Sequence, residues 1–390
     1  MKKITNIYTC CCLMAMLSLA CNKSLTPLDD PATAAPGPVM TPTVTNTAGG
    51  AIIAYALPKD QSLWYVKAEY EIRPGVKREV KSSFYTSTIE VEGFADTTNF
   101  EVKLYAVGRN EKASNPVNVV IRPLPAPVLT TAQSVVMIPD FGGMNLSFEN
   151  EHQADLSIEV STPDSTGEWQ RIETYFTNSR KGDFSVRGFT PAPRKFKARV
   201  KDRWGNVSEE ITREITPIYE ELIAKNIFKE LTLPTDSPTG FGWVMTNLWN
   251  NTNAGNGYHT PYATGMPQQF TFDMGATRTL SRMKYWQRTG THLYNTSNPK
   301  RFEIWGSAAP DPDGGWTNWI RLGEFESVKP SGLPLGQTNA EDLARANAGE
   351  DFTFPITVAV PVRYIRFKTL ETWGNTDYIT IMEITLWGGK

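Results

Sequence analysis

Cysteine is nearly missing from this chain of 390 residues: its four copies are Cys10, Cys11, Cys12 and Cys21. Everything after residue 21 is therefore without an intrachain disulfide, a Cys-built metal site or a thiol nucleophile. Histidine is almost as scarce, with His152, His259 and His292 the whole complement. A His-rich metal centre is excluded, and a His-dependent nucleophilic triad would have to use one of these three. Neither sign of charge dominates: 39 Lys and Arg face 41 Asp and Glu, a formal charge of -2. That argues against a general polyanion or nucleic-acid binder. Beyond the N-terminus no apolar run approaches the roughly 20 residues needed to span a bilayer. Aromatic residues are the abundant class, with 11 Trp, 14 Tyr and 18 Phe. The length suits two or three domains.

The first residues read as an export signal. Lys2 and Lys3 supply a positive start, and Cys10 to Ala20 a short apolar stretch. Ser18-Leu19-Ala20-Cys21 then resembles the cleavage box of a bacterial lipoprotein, with small Ala20 before the cysteine. The resemblance implies a signal peptide over 1–20 and lipidation of Cys21; the plainer alternative is secretory cleavage nearby. Cleavage would remove two lysines and no acid, leaving a charge of -4. Residues 21–43 carry Pro27, Pro31, Pro36, Pro38 and Pro42 among Ala, Thr and Gly. This composition predicts a solvated tether between anchor and body.

Two β-modules are expected next, over 44–124 and 125–217. Ala51 to Tyr55, Leu63 to Tyr70 and Thr88 to Val91 read as strands, and Phe100 to Val107 alternates with period two. Pro123, Pro125 and Pro127 form a stiff joint. The plan then repeats: Leu156 to Val160 alternates, and Phe196 to Val200 corresponds to Phe100 to Leu104, followed by a polar turn at Lys201 to Ser208. The offset is roughly 95 residues, one small sandwich each. Both segments resemble fibronectin type III or immunoglobulin-like modules, which implies spacers, with direct ligand binding as the alternative.

Ile218 to Leu231 has apolar Leu222, Ile223, Ile227 and Phe228 among charged residues. Their spacing predicts a helical connector over 218–234, stopped by Pro234, with one further helical turn at Ala340 to Ala348. The last domain, 235–390, reads as β again. Pro267 to Gly275, Leu280 to Trp286, Pro299 to Ser307, Trp319 to Gly323, Val362 to Phe367 and Ile381 to Gly388 follow, in order, the strands of coagulation-factor 5/8 type C (discoidin) domains, which they resemble. The fold class expected is thus all-β: two tandem small sandwiches followed by a discoidin-like sandwich. The whole arrangement also resembles surface lipoproteins encoded with glycan-uptake systems in Bacteroidetes.

That resemblance implies an outer-membrane, lipid-anchored protein, facing outward, whose partners are a glycan and outer-membrane glycan-uptake proteins. Aromatic faces stack on pyranose rings, and Arg, Asn and Asp satisfy the hydroxyls. Loop residues that suit this role are Arg288, His292, Tyr294, Trp373, Asn375 and Asp377, with Trp249 to Asn253, Tyr258 to Tyr262 and Tyr378 in neighbouring loops. The family resemblance also implies a weak structural calcium held by Asn250, Thr252 and Glu383; the alternative is that Glu383 bonds to backbone N–H groups or an Arg. No other cofactor is expected. No phosphate loop, nucleophile elbow or zinc helix is present, so catalysis is not expected. Two roles remain open: glycan capture by the last domain, or a scaffold or adhesion protein contacting a membrane partner or host surface.

Overall fold

The computed structural model describes residues 32–390. The expected signal peptide, Cys21 and the first half of the tether lie outside the described residues. The rest is all-β, as two tandem small sandwiches and a larger one.

The first sandwich has seven strands: β1 (Met40–Thr47), β2 (Gly50–Ala56), β3 (Leu63–Arg73), β4 (Val76–Ser83), β5 (Thr88–Glu92), β6 (Phe100–Gly108) and β7 (Val117–Ile121). They form sheets ordered β1-β2-β5 and β4-β3-β6-β7. The period-two pattern sets the faces: Val66, Ala68, Tyr70 and Ile72 of β3 are buried, and so are Val102, Leu104 and Ala106 of β6. The expected tether is shorter than 21–43. Val39 is buried in this sandwich, Asn110 and Lys112 donate to the Thr33 carbonyl, and β1 begins at Met40. Proline offers no N–H to a ladder, so this stretch lies along the sandwich and is held through a carbonyl.

The second copy repeats the order with β8 (Val136–Asp140), β9 (Gly143–Glu149), β10 (Leu156–Pro163), β11 (Trp169–Thr177), β12 (Lys181–Val186), β13 (Arg194–Asp202) and β14 (Ile211–Ile215). Its sheets run β8-β9-β12 and β11-β10-β13-β14. Even the turn after the long strand recurs. Ser114 Oγ accepts from Ala106 N at 3.0 Å and donates to the Asn115 carbonyl at 2.9 Å. Ser208 Oγ accepts from Val200 N at 3.0 Å and donates to the Glu209 carbonyl at 2.9 Å. Between the copies the proline joint is partly helical: α1 (Pro127–Ser134) has Pro at its start, where its missing N–H costs nothing, and buries Val128 and Thr131. By compactness the chain divides into two units. One comprises the residues up to Val136 with Ser147–Asp183 and Phe196–Arg213, the other Met137–Leu146, Phe184–Lys195 and Glu214–Lys390.

The expected helical connector is not a helix. Residues 218–234 contain β15 (Glu221–Leu222), a 3-10 turn (Lys225–Ile227) and β16 (Lys229–Leu231). These strands pair with the C-terminal sandwich, and Ile223 and Phe228 enter its core. A helix would satisfy its own backbone but leave the neighbouring strand edges open, so tertiary pairing overrides the local pattern.

The C-terminal sandwich continues with β17 (Tyr258–His259), β18 (Gln268–Trp286), β19 (Pro299–Ser307), β20 (Ile320–Glu326), α2 (Ala340–Ala348), β21 (Glu350–Thr353), β22 (Pro361–Thr372), β23 (Thr380–Ile381) and β24 (Glu383–Gly389). The main sheet runs β15-β24-β18-β22-β19-β20, with β16 and β21 also on β18. The two strands expected over 267–286 are one, bent where the register shifts between Asp273 and Arg278. Gly275 sits at that bend with φ +77°, and a Cβ there would meet the Ile227 carbonyl at 2.4 Å. Phe270, Phe302 and Phe367 stack through the core, their centroids 4.7–5.4 Å apart along the row. Each such burial contributes roughly 2 kcal/mol.

Candidate functional site

The two-stranded ribbon β17–β23 pairs Tyr258 with Ile381 and His259 with Thr380. Alternation sends the Tyr258 ring inward, 4.5 Å from Phe270, and His259 to the other face. Thr260 locks the ribbon to the following loop: its N–H donates to the Ile379 carbonyl, and its Oγ1 accepts from Ile379 N at 2.9 Å.

Around His259 stand four aromatic rings. Phe241, Trp243 and Tyr262 meet it edge-on at 5.0, 5.4 and 5.9 Å, and Tyr378 lies nearly parallel to it at 5.3 Å. His259 is the floor, 5% exposed, whereas Phe241 and Tyr262 are each 59% exposed. Phe241 reaches its place at a conformational cost. It has φ +60° in the turn Gly240-Phe241-Gly242-Trp243, which is closed by Trp243 N donating to the Gly240 carbonyl. A bulky side chain in the left-handed region costs about 1–2 kcal/mol, and such strain gathers at functional surfaces.

Arg288 and His292 join this group from the loop after β18. The Arg288 guanidinium lies 5.2 Å from the Trp243 ring centre. Buried Asn298 holds the loop in place: its Oδ1 accepts from Arg288 N at 2.8 Å, while its Nδ2 donates to the carbonyls of Arg288 and His292. Burial lowers both imidazole pKa values, and the Arg288 charge lowers them further. The Thr260 carbonyl, 2.6 Å from His259 Nδ1, pulls the other way and places the proton on Nδ1. Burial raises the Tyr378 hydroxyl. The result is a ring of apolar faces with one fixed positive charge and two imidazoles that are neutral near pH 7.

The other expected residues divide. Asp377 is exposed beside Tyr378, its carbonyl accepting from Thr264 Oγ1. Asn375 is exposed in the same loop at φ +52°. Tyr294 is a correction: it is fully buried, packed at 5.2 Å against Trp373 and near Leu293 and Ala346. Trp373 is half-buried, and its Nε1 donates to Ser327 Oγ. Both close the end of the sandwich because helix α2 and its flanking loops cover them, which loop position in the sequence could not reveal. Phe241 and Trp243 were missed; an aromatic pair interleaved with Gly240 and Gly242 was the available signal.

Most atoms of the expected calcium ligands are otherwise engaged, although Glu383 Oε2 is buried without a hydrogen-bond partner. Glu383 Oε1 accepts from the Lys225 ammonium and from Asn251 N, Asn250 Oδ1 accepts from Thr252 N, and Thr252 Oγ1 accepts from Ala254 N. An ammonium already supplies the positive charge that Glu383 requires, so this donor set does not fit a divalent cation. Among the described residues no group of three or more His, Cys, Asp or Glu is gathered for a metal.

These features define a tandem β-sandwich chain that ends in a larger β-sandwich with an aromatic end surface. Three protein families match in succession: "Domain of unknown function (DUF4959)" over residues 36–123, "Domain of unknown function (DUF5126)" over 124–226 and "Domain of unknown function" over 246–388. A solved structure titled "SusE-like protein BT2857" is 34% identical over 67% of this chain and 99% of its own, with a TM-score of 0.46. On that identity and coverage, the chain belongs to the SusE-like family. Two further structures match at 14% identity. A two-domain fibronectin type III segment of chicken tenascin covers 46% of this chain and 99% of its own, with a TM-score of 0.23. "GH31 CBM32-2 bound to GalNAc" covers 42% of this chain and 97% of its own, with a TM-score of 0.27. At that level the two likenesses establish no relationship. A comparison with curated proteins finds no match.

Proposed function

We propose that the protein captures carbohydrate at the cell surface, without catalysis, on the end surface formed by Phe241, Trp243, Tyr262, Tyr378, Arg288 and His292. The observation that carries this reading is the pair of widely exposed rings, Phe241 and Tyr262, with centroids 4.8 Å apart beside a fixed guanidinium. Sugars offer apolar C–H faces to such rings and hydroxyls to the polar groups between them. Asp377 and Asn375 belong to the rim of the same surface in this reading. The two N-terminal sandwiches act as spacers, and a lipid on Cys21 holds the chain at the outer membrane, facing outward, near glycan-uptake proteins.

Retention of the full chain on a polysaccharide panel tests this. Tyr262→Ala or Phe241→Ala is expected to weaken retention at least tenfold, about 1.4 kcal/mol, with an unchanged melting transition. No retention on any polysaccharide, together with co-purification of a membrane partner, would replace glycan capture with the scaffold role.

A further inference from the structure

Arg288 differs from the other enclosed arginines of the C-terminal sandwich. Arg278, Arg282, Arg301, Arg363 and Arg366 are all half-buried or buried, and each has a carboxylate oxygen within 4 Å, at 3.8, 3.3, 2.9, 2.7 and 3.8 Å respectively. Half-buried Arg288 has no carboxylate at that range among the described residues, and its guanidinium lies against the Trp243 ring. A guanidinium partly withdrawn from water and held over an indole keeps its planar fork of donors free. Three of the groups around it add no compensating charge: burial depresses the pKa of His259 and His292 and raises that of Tyr378. The neighbouring acid, Asp377, is exposed at the rim with no ion pair to Arg288 within 4 Å among the described residues. The Asn298 bonds fix the Arg288 backbone, and the Trp243 ring holds the guanidinium at the end surface.

We infer that this end surface selects sugars bearing a negative charge, a uronate carboxylate or a sulfate ester, with Arg288 as the residue that receives the anion. The inference rests on the carbohydrate reading above and narrows it. The rings of Phe241 and Tyr262 take the sugar face, and the fork of Arg288 takes the two oxygens of the anion. A neutral sugar satisfies the rings but leaves the guanidinium without a counter-charge.

Two matched pairs of probes test this with the full chain: oligogalacturonate against its methyl ester, and a sulfated galactan oligosaccharide against its desulfated form. At least one charged form is expected to bind tenfold or more tighter than its neutral counterpart, with the difference shrinking as salt is added. Arg288→Gln should abolish the difference, and Arg288→Lys, which keeps charge and loses the fork, should retain part of it; an unchanged melting transition certifies both variants. Equal binding of charged and neutral forms, unaltered by Arg288→Gln, overturns charge selection and leaves the glycan site standing. Retention of neutral polysaccharides alone does the same, whereas failure to retain any polysaccharide removes both readings.

Discussion

The Lys225 ammonium donates to Glu383 Oε1 inside the C-terminal sandwich, with the two side chains only 10% and 4% exposed. Burial pushes the Glu383 carboxyl above its ordinary range, and Lys225 only partly offsets it. Lys225→Met leaves a buried carboxylate unpaired and should cost about 3–5 kcal/mol in a urea titration at pH 7. A carboxyl with a raised folded pKa holds its proton more tightly in the folded state, so part of that loss should return as pH falls through the folded value. The same pair predicts equal melting temperatures in millimolar calcium and in chelator; a calcium-dependent rise would restore the metal.

Tyr294 and Trp373 are expected to act on stability and not on binding. The Tyr294 hydroxyl is buried without a protein hydrogen-bond partner, so Tyr294→Phe should change stability by less than about 1 kcal/mol or improve it. Tyr294→Ala should cost about 3–5 kcal/mol through the cavity it opens. Trp373→Ala should lower the melting temperature by removing the ring contact with Tyr294 and the bond to Ser327. Glycan affinity that falls with an unchanged melting transition in Trp373→Ala would place this ring in the binding surface after all.

Acid should loosen the end surface through its imidazoles. Both histidines have folded pKa values below the ordinary 6.5, chiefly through burial and then through Arg288. The unfolded chain therefore binds more protons just below pH 6.5, and stability should fall as pH drops from about 6.5 through the folded values. His259→Gln should flatten that part of the melting profile. Imidazole resonances that titrate at or above 6.5 in the folded protein would contradict the assignment.

Cys21 supplies a prediction about location. Cys21→Ser should release the protein from the membrane fraction or leave it unprocessed, while the wild type partitions with membranes. Protease treatment of intact cells should remove the wild-type protein; protection would turn the anchor inward.

The strands were legible in the sequence because period-two burial is local. In β3 and β6 the apolar residues announce their own face, and the repeat of Ser114 at Ser208 carries the same turn chemistry at the same place. Arg288 and His292 were recognisable as polar loop residues for the same reason: residue type and loop position are written side by side. What tertiary structure decided was which side chains ended in water. Tyr294 and Trp373 look like stacking platforms until the segment with α2 is packed over them, and only the fold shows Arg366 fully buried under Trp316 and Trp319, 4.6 and 4.4 Å from their ring centres. Residues 218–234 carried a helical period, yet the edges of β18 and β24 needed backbone partners, and hydrogen-bonding groups more than 30 residues away are invisible to a local pattern. The aromatic floor at His259 likewise gathers residues 241, 243, 262 and 378 from segments that only folding brings together.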